Sequence, residues 1–314
     1  MSEPQSTNQV MMIRPVRFVG NVQTKASNAF QQHCNSITSD DVQSKAQQEF
    51  DHLVNLLRNA DVDVTVFQDT PEPHTPDSIF PNNWVSFHSN GTVVLYPMLA
   101  ENRRLERRMD VIEELFEKGF QINRMIDLTH YEQHQKYLEG TGSMVLDRIN
   151  RVAYACISPR TDLDVLREFA QQLNYELISF DATDSKGVAI YHTNVLMCVG
   201  SAFAVVCVEV IAEQARRAVL DSLAESGREV IEITEEQMQA FAGNMLELKT
   251  STGELRLALS QSAYDALSAV QRTQLESLSG ELLVASIPTI ERHGGGSVRC
   301  MLAEIFLPHK PAAA

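Results

Sequence analysis

The sequence has no stretch long and apolar enough to cross a bilayer. Its longest apolar run, Val195–Val208, is too short to span and carries a Gly-Ser pair in its middle. The leader Met1–Gln9 is polar and has no apolar centre, so no secretory signal is expected and the leader is read as disordered. A Lys/Arg-rich block is also missing. The formal charge of 26 − 41 = −15 argues against nucleic acid or an anionic membrane as partner. The 5 cysteines are odd in number and form no CxxC pair, which fits reduced thiols in a cytoplasmic protein. There is no low-complexity segment or linker, although a length of 314 residues would by itself suggest two domains. With 44% hydrophobic residues, the chain has ample material for a core.

What the sequence does contain is a repeat. Five segments follow one plan of strand, tight turn, strand, helix and strand, and they begin at Asn83, Gly142, Asn194, Asn244 and Ser297, spaced by 59, 52, 50 and 53 residues. The first predicts strands at Trp84–His88 and Thr92–Tyr96 and a helix near Glu101–Lys118, where Leu105, Met109, Ile112, Leu115 and Phe116 keep a helical spacing. A strand at Gln121–Asp127 follows. The second predicts a strand at Tyr154–Ile157, a helix at Asp162–Leu173 and a strand near Tyr175–Phe180. The third turns at Gly200-Ser201, with a helix near Ile211–Glu225 and a strand at Glu229–Ile233. The fourth turns at Ser251-Thr252-Gly253, with a helix near Ser260–Leu278 and a strand at Glu281–Ser286. The fifth, Val298–Phe306, reads as a strand and stops before Pro308; its missing half is supplied by Val10–Val19, Asp41–Ala60 and Val62–Phe67. Ends that complete one module close a ring. The expectation is an α/β fold of five ββαβ units about a pseudo-fivefold axis, forming one domain over residues 10–308 with 309–314 as a frayed tail.

Chemistry concentrates at three of these unit starts. Cys300 follows the triplet Gly294–Gly296, where backbone and ligand can approach without a Cβ in the way. Glu139 lies in the Gly-rich turn Leu138–Gly142, and His192 opens Tyr191–Asn194. A thiol, an imidazole and a carboxylate are the parts that nucleophilic thiol chemistry needs. Other candidates read as structural. Cys156, Cys198 and Cys207 lie in apolar strands and read as core. Cys34 adjoins His33, but neighbours on an extended chain point apart. His130 and His134 have no third ligand at metal spacing and read as surface residues. Arg103, Arg104, Arg107 and Arg108 alternate with Glu101 and Glu106 as a solvated helix face, of which only Arg103 has a claim on a pocket. No Lys and no helix follow the Gly triplet, so it is not a phosphate loop.

The ordered set of motifs resembles the guanidino-group-modifying or pentein superfamily, whose members are five-bladed α/β-propellers. Arginine deiminases, dimethylarginine dimethylaminohydrolases and amidinotransferases belong to it. Pro76-Asp77-Ser78-Ile79-Phe80 resembles the Pro-Asp-x-Val-Phe stretch of the dimethylarginine hydrolases. Leu138-Glu139-Gly140, Ser158-Pro159-Arg160-Thr161, His192-Thr193-Asn194 and Gly294–Met301 resemble the family's later motifs in order. The resemblance implies Cys300 as nucleophile, His192 as general acid/base and Glu139 as its carboxylate partner. It implies Asp77 for the polar head of an amino-acid substrate, and Arg160, with Arg103, for an α-carboxylate. It further implies covalent catalysis with neither metal nor organic cofactor, on a small-molecule substrate, in a chain that can form a homodimer.

One departure from the family pattern bears on the substrate. Asn82 and Asn83 stand where dimethylarginine hydrolases carry paired carboxylates, and Asn194 stands where arginine deiminases carry Asp. A guanidinium is a cation with donors only, whereas a ureido group is neutral and has a carbonyl, which an amide can match with both donor and acceptor. The sequence therefore most resembles a citrulline-hydrolysing branch of the superfamily. Two readings stay open beside it: a deiminase, dimethylarginine hydrolase or amidinotransferase acting on a guanidino group, and a non-catalytic binding protein of the same fold.

Overall fold

The computed structural model describes residues 3–25, 27–31 and 39–310, and within them the chain forms five three-stranded sheets. Strand β1 (Gln9–Arg14) pairs in parallel with β2 (Asp63–Gln68) across the crossover helix Ser39–Asn59. The next four sheets share one pattern, an antiparallel hairpin followed by a parallel strand. They are β3 (Val85–Phe87), β4 (Thr92–Leu95) and β5 (Arg124–Asp127); β6 (Val145–Asp147), β7 (Val152–Ile157) and β8 (Glu176–Asp181); β9 (Met197–Val199), β10 (Phe203–Val206) and β11 (Glu229–Glu232); and β12 (Leu246–Lys249), β13 (Leu255–Ser260) and β14 (Glu281–Ala285). Parallel pairing demands a long crossover, and a helix supplies it in each case. Last comes β15 (Ala303–Glu304), which pairs antiparallel with β1 through Val10↔Glu304 and Met11↔Ala303. First and last strands share one sheet, as the incomplete fifth unit predicts.

Helix Leu163–Leu173 shows how locally this is specified. Asp162 caps it, accepting from the backbone N–H of Asp164 at 2.8 Å and of Val165 at 3.4 Å. Val165, Leu166, Phe169, Ala170 and Leu173 then bury one stripe, and Asn174 ends the helix at φ 55°. Two other expected helices are broken. Ser260–Leu278 divides into Gln261–Ala266 and Ala269–Ser279, because Ser268 and Gln271 form a reciprocal capping box that starts a new helix. Glu101–Lys118 divides into Glu101–Arg104 and Met109–Glu117; Arg103 turns inward to Glu106, while Leu105, Met109 and Phe116 stay exposed.

Three further expectations are corrected. Val298–Phe306 is not one strand: Val298–Met301 is a 3-10 turn closed by Cys300 N–H to the Ser297 carbonyl at 3.0 Å, and only Ala303–Glu304 is extended. The leader is not disordered from residue 3 onward, since Glu3, Gln5, Ser6 and Thr7 are all buried. Its side chains and backbone find partners in or next to all five sheets. Glu3 accepts from Ser89 N–H, Gln5 donates to the Leu146 and Val199 carbonyls, the Thr7 carbonyl accepts from Lys249, and the Thr7 hydroxyl donates to Ile305. At the other end His309 stacks on Phe120 at 4.5 Å, and Lys310 N–H donates to the Gly119 carbonyl at 2.7 Å; residues 311–314 lie outside the described residues. Cys34 and His33 lie outside them too.

Candidate active site

Where the sequence suggests strand starts, the structure has helical turns. Pro81–Asn83, Gly140–Ser143, Thr193–Leu196 and Val298–Met301 each precede a strand, and a turn ending at Asn244 does so in the fourth unit. These turns and the residues capping them bring the chemistry together. A cavity of about 10 Å³ is lined by Asp77, Asn83, Arg103, Arg160, His192 and Cys300, with Tyr191, Phe80, Asn28 and the Gly triplet completing its wall. Glycine matters at two places here. A Cβ on Gly142 would come within 2.7 Å of His192 Nδ1, and Gly295 holds φ +63° where helix Pro288–Gly294 ends.

Glu139 is fully buried and anchors the site. Its Oε2 accepts from His192 Nε2 at 2.8 Å and from Arg160 Nη1 at 3.3 Å, while Oε1 accepts Leu99 N–H at 3.1 Å. Burial pushes its acidity toward the neutral form, but Arg160, His192 and Arg103 outweigh that and hold the carboxyl well below its ordinary range. His192 moves the other way from a charged state. Burial lowers it to about 4, against the pull of Glu139 and with Arg160 and Arg103 assisting, so near neutral pH the ring is uncharged. Its Nε2 proton is assigned by the bond to Glu139, which leaves the Nδ1 lone pair beside Gly142 as a base.

The Cys300 side chain is 2% exposed. Asn194 Nδ2 lies 3.5 Å and Asn244 Nδ2 3.3 Å from its Sγ, with Asn244 Oδ1 at 3.7 Å. Asp77 accepts from Asn21 Nδ2 at 2.7 Å through one oxygen; its other oxygen is buried without a partner. Burial raises its acidity midpoint, opposed by Arg103 and Asn21.

The two arginines differ. Arg103 is buried and clasped by Glu106 through two bonds of 3.0 Å, with a third to Asn83 Oδ1 at 3.0 Å. Arg160 faces Glu139, Ser27 Oγ at 2.8 Å and the Thr24 carbonyl at 3.4 Å. Apart from Glu139 its partners are neutral, so it is the better placed of the two to receive a carboxylate. Arg103 alone of the basic cluster reaches the cavity, as its sequence position suggests, and the rest is less solvated than expected, since Arg104 and Arg107 both reach Glu132.

Of the three asparagines singled out, only Asn83 lines the cavity. Asn82 and Asn194 are buried beside it, each with an unpartnered Oδ1. His130 and His134 are exposed on a 3-10 turn, Thr129–His134. Among the described residues no group of three or more His, Cys, Asp or Glu is placed to hold a metal. Cys156, Cys198 and Cys207 are buried in the core. Sequence reasoning missed Asn21, Tyr191 and Asn244. Asn244 carried a signal, being a unit start equivalent to Asn194; Asn21 carried none, since its loop belongs to no repeat.

No curated protein matches the chain. Among solved structures, the N-terminal domain of ArgZ bound to substrate, an arginine dihydrolase from the ornithine-ammonia cycle in cyanobacteria, superposes with TM-score 0.72 at 16% identity over 95% of this chain and 99% of that one. AgrE in binary complex with L-arginine gives TM-score 0.74 at 18% identity over 97% of this chain. A histidine-to-glycine variant of dimethylarginine dimethylaminohydrolase, as its adduct with S-methyl-L-thiocitrulline, gives TM-score 0.63 at 16% identity, covering 97% of this chain and 100% of that one. The chain spans only 41% of the longer ArgZ and AgrE chains. The sequence family described as N,N dimethylarginine dimethylhydrolase, eukaryotic, matches residues 14–307, and the chain belongs to that family within the pentein, guanidino-modifying superfamily.

Proposed function

We propose that the chain is a cysteine-dependent hydrolase of the ureido group of free L-citrulline, built as a five-bladed α/β-propeller whose sheets surround the cavity. The observation that carries this reading is the set of buried amides around Cys300. Asn83 lines the cavity, Asn194 and Asn244 reach the sulfur, and Asn82 and Asn194 each keep an unpartnered carbonyl oxygen. The charge of Glu139 is already met by Arg160 and His192, and Asp77 is the other carboxylate lining or adjoining the thiol cavity with an unmet oxygen. A buried cation would be undercompensated by this set, at a cost of several kcal/mol. A neutral ureido group is matched by it. The cavity is smaller than an amino acid, so binding must displace some of its lining.

In this scheme Asp77 takes the α-ammonium and Arg160 the α-carboxylate. The Cys300 thiolate attacks the ureido carbon, forming a C–S bond. Collapse breaks one C–N bond, and the leaving amine takes a proton from His192 after that ring has been charged by the thiol proton. Water, deprotonated by the neutral ring, then cleaves the C–S bond of the thio-carbonyl intermediate. The second C–N bond breaks as the carbamate decomposes, so citrulline and water give ornithine, ammonia and carbon dioxide. Glu139 steadies the charged imidazole. The unbridged state of the four described cysteines fits action in a reducing cytoplasm.

A guanidino substrate is the second reading, favoured by the relatives' names, which specify arginine and dimethylarginine. Ammonia release from citrulline, arginine, dimethylarginine and agmatine separates the two. Citrulline should be fastest and agmatine, lacking the carboxylate, slowest. If arginine or a methylarginine is turned over faster, the amide argument fails and the guanidino reading takes its place. No turnover of any of the four would point to a binding protein. Changing Asn82 to Glu together with Asn83 to Asp should erode citrulline turnover and admit arginine.

A further inference from the structure

We infer that Asn194 and Asn244 are catalytic residues that hold the Cys300 sulfur as a thiolate by donating two amide N–H groups to it. The inference rests on Cys300 being the nucleophile, not on which substrate it attacks. Among the described residues, the side-chain hydrogen bonds of Sγ go to these two amides alone, with Nδ2 donors at 3.5 Å and 3.3 Å. Both residues are at most 1% exposed, so bulk solvent does not reach the sulfur from their side.

The charged groups that face the thiol are largely spoken for. Arg103 is clasped by Glu106, Arg160 meets Glu139, and Arg299, next in sequence, pairs with Glu304 at 3.0 Å. Asp77 adds negative charge to the same cavity, Tyr191 donates its hydroxyl to the Gly295 carbonyl at 2.5 Å, and His192 is neutral near pH 7. While His192 is neutral, no uncompensated cation in the cavity is left to hold an anionic sulfur, and two aimed dipoles take that place.

The amide of Asn244 is suited to both states of the sulfur. Its Oδ1, 3.7 Å away, accepts the S–H of the thiol, and its Nδ2 donates once the proton has gone. The geometry is built rather than incidental. Asn244 Nδ2 also donates to the Asn194 carbonyl at 2.9 Å, locking the two turns together. The preceding residue has to be glycine for this approach, since a Cβ on Gly243 would lie 2.3 Å from the Val195 carbonyl. The sequence signal is the repeat itself: the same residue type stands at the third and fourth unit starts.

The test is a pH titration of thiolate absorbance near 240 nm on the full chain, taken as the difference from Cys300→Ser so that the other cysteines cancel. Asn244→Ala and Asn194→Ala should each move the midpoint up by about one pH unit. Asn244→Asp keeps the shape but replaces the donor with an acceptor, and should move the midpoint at least as far. It also serves if the alanine variant does not fold, as checked by circular dichroism. Midpoints unchanged in folded variants would overturn the inference, even if kcat falls, because the amides would then act on substrate alone. The titration needs no substrate, so its outcome stands whether or not citrulline is hydrolysed.

Discussion

Two buried polar clusters of this molecule are similar in composition and opposite in how they are satisfied. Around the N-terminal segment, Arg228 is bound by Asp147 at 2.5 Å and 3.0 Å and by the Gly200 carbonyl at 2.6 Å; Arg148 and Arg151 reach Glu3, and Arg299 reaches Glu304. One oxygen of Glu247 and Nδ1 of His88 are the exceptions there. Around Cys300, by contrast, Asp77, Asn82 and Asn194 each keep an oxygen that is buried and unpartnered. Unmet buried polar atoms are rare in folded proteins because each costs roughly 1–3 kcal/mol. Three in one neighbourhood mark a site completed by a ligand, whereas the matched cluster marks structure. Buried charge alone does not tell the two apart; the gathering of three orphaned oxygens about one thiol does.

Breaking the proposed nucleophile should give the largest effect. Cys300→Ser is expected to lose at least about a thousandfold in turnover while still binding citrulline in calorimetry, because the binding groups are untouched. Loss of binding with turnover would assign Cys300 a structural role and blur the contrast. Breaking the matched cluster should act on stability instead. Asp147→Asn leaves the buried Arg228 guanidinium without its counter-charge, and the melt should lose about 3–5 kcal/mol. kcat of the remaining folded enzyme should stay at the wild-type level. A fall in kcat without destabilisation would show the two clusters to be coupled.

Much of this contrast was legible in the sequence, and the parts that were not have physical reasons. The repeat spacing and motif order located Asp77, Glu139, Arg160, His192 and Cys300, and all but Glu139 line one cavity, with Glu139 bonded to His192 behind it. Short helical turns were read as strand starts because three or four residues carry no periodicity. The buried leader was read as disordered because Glu3, Gln5, Ser6 and Thr7 are polar, and polarity argues for solvent only until partners are known. Those partners sit up to about three hundred residues away, at Ile305, and no local pattern reports them. Arg103 carried a claim on the pocket in sequence, but its clasp by Glu106 carried no signal there, because neighbouring charges on one turn read as a solvated face.

A pH experiment sharpens the comparison at intermediate size. His192 is held near 4 in the folded protein against an ordinary 6.5, so between these values the unfolded chain binds the extra proton. Stability from this residue is thus complete above about pH 6.5 and is lost as pH falls toward 4, by at most about 3 kcal/mol. The depressed carboxyl of Glu139 acts in the same direction at still lower pH. Melts of wild type and His192→Asn at about pH 7 and about pH 4.5 isolate the effect. The wild type should lose more stability between the two than the variant does. Equal losses would mean that the ring is charged in the folded state.

The smallest effect is expected from the leader, where the matched cluster meets the five sheets. Gln5 Nε2 donates to the Leu146 and Val199 carbonyls at 2.9 Å and 3.0 Å, and its Oε1 accepts Arg148 N–H at 2.9 Å. Gln5→Ala strands three backbone groups, which unrelieved would cost more than the loss of one ordinary bond. Beside Gln5, however, lies a cavity of about 30 Å³ whose mixed lining includes the polar groups of Asn194, Glu247 and Arg299. That is room for a water with several partners. Water entering the space left by the side chain should offset most of the penalty, leaving a loss of about 1–2 kcal/mol in denaturant melts. The same cavity touches Asn194, whose amide reaches Cys300, so the variant also reports on coupling between the clusters. Unchanged kcat at reduced stability keeps them separate; a thiolate titration displaced by Gln5→Ala would show that the leader helps to set the Cys300 thiol.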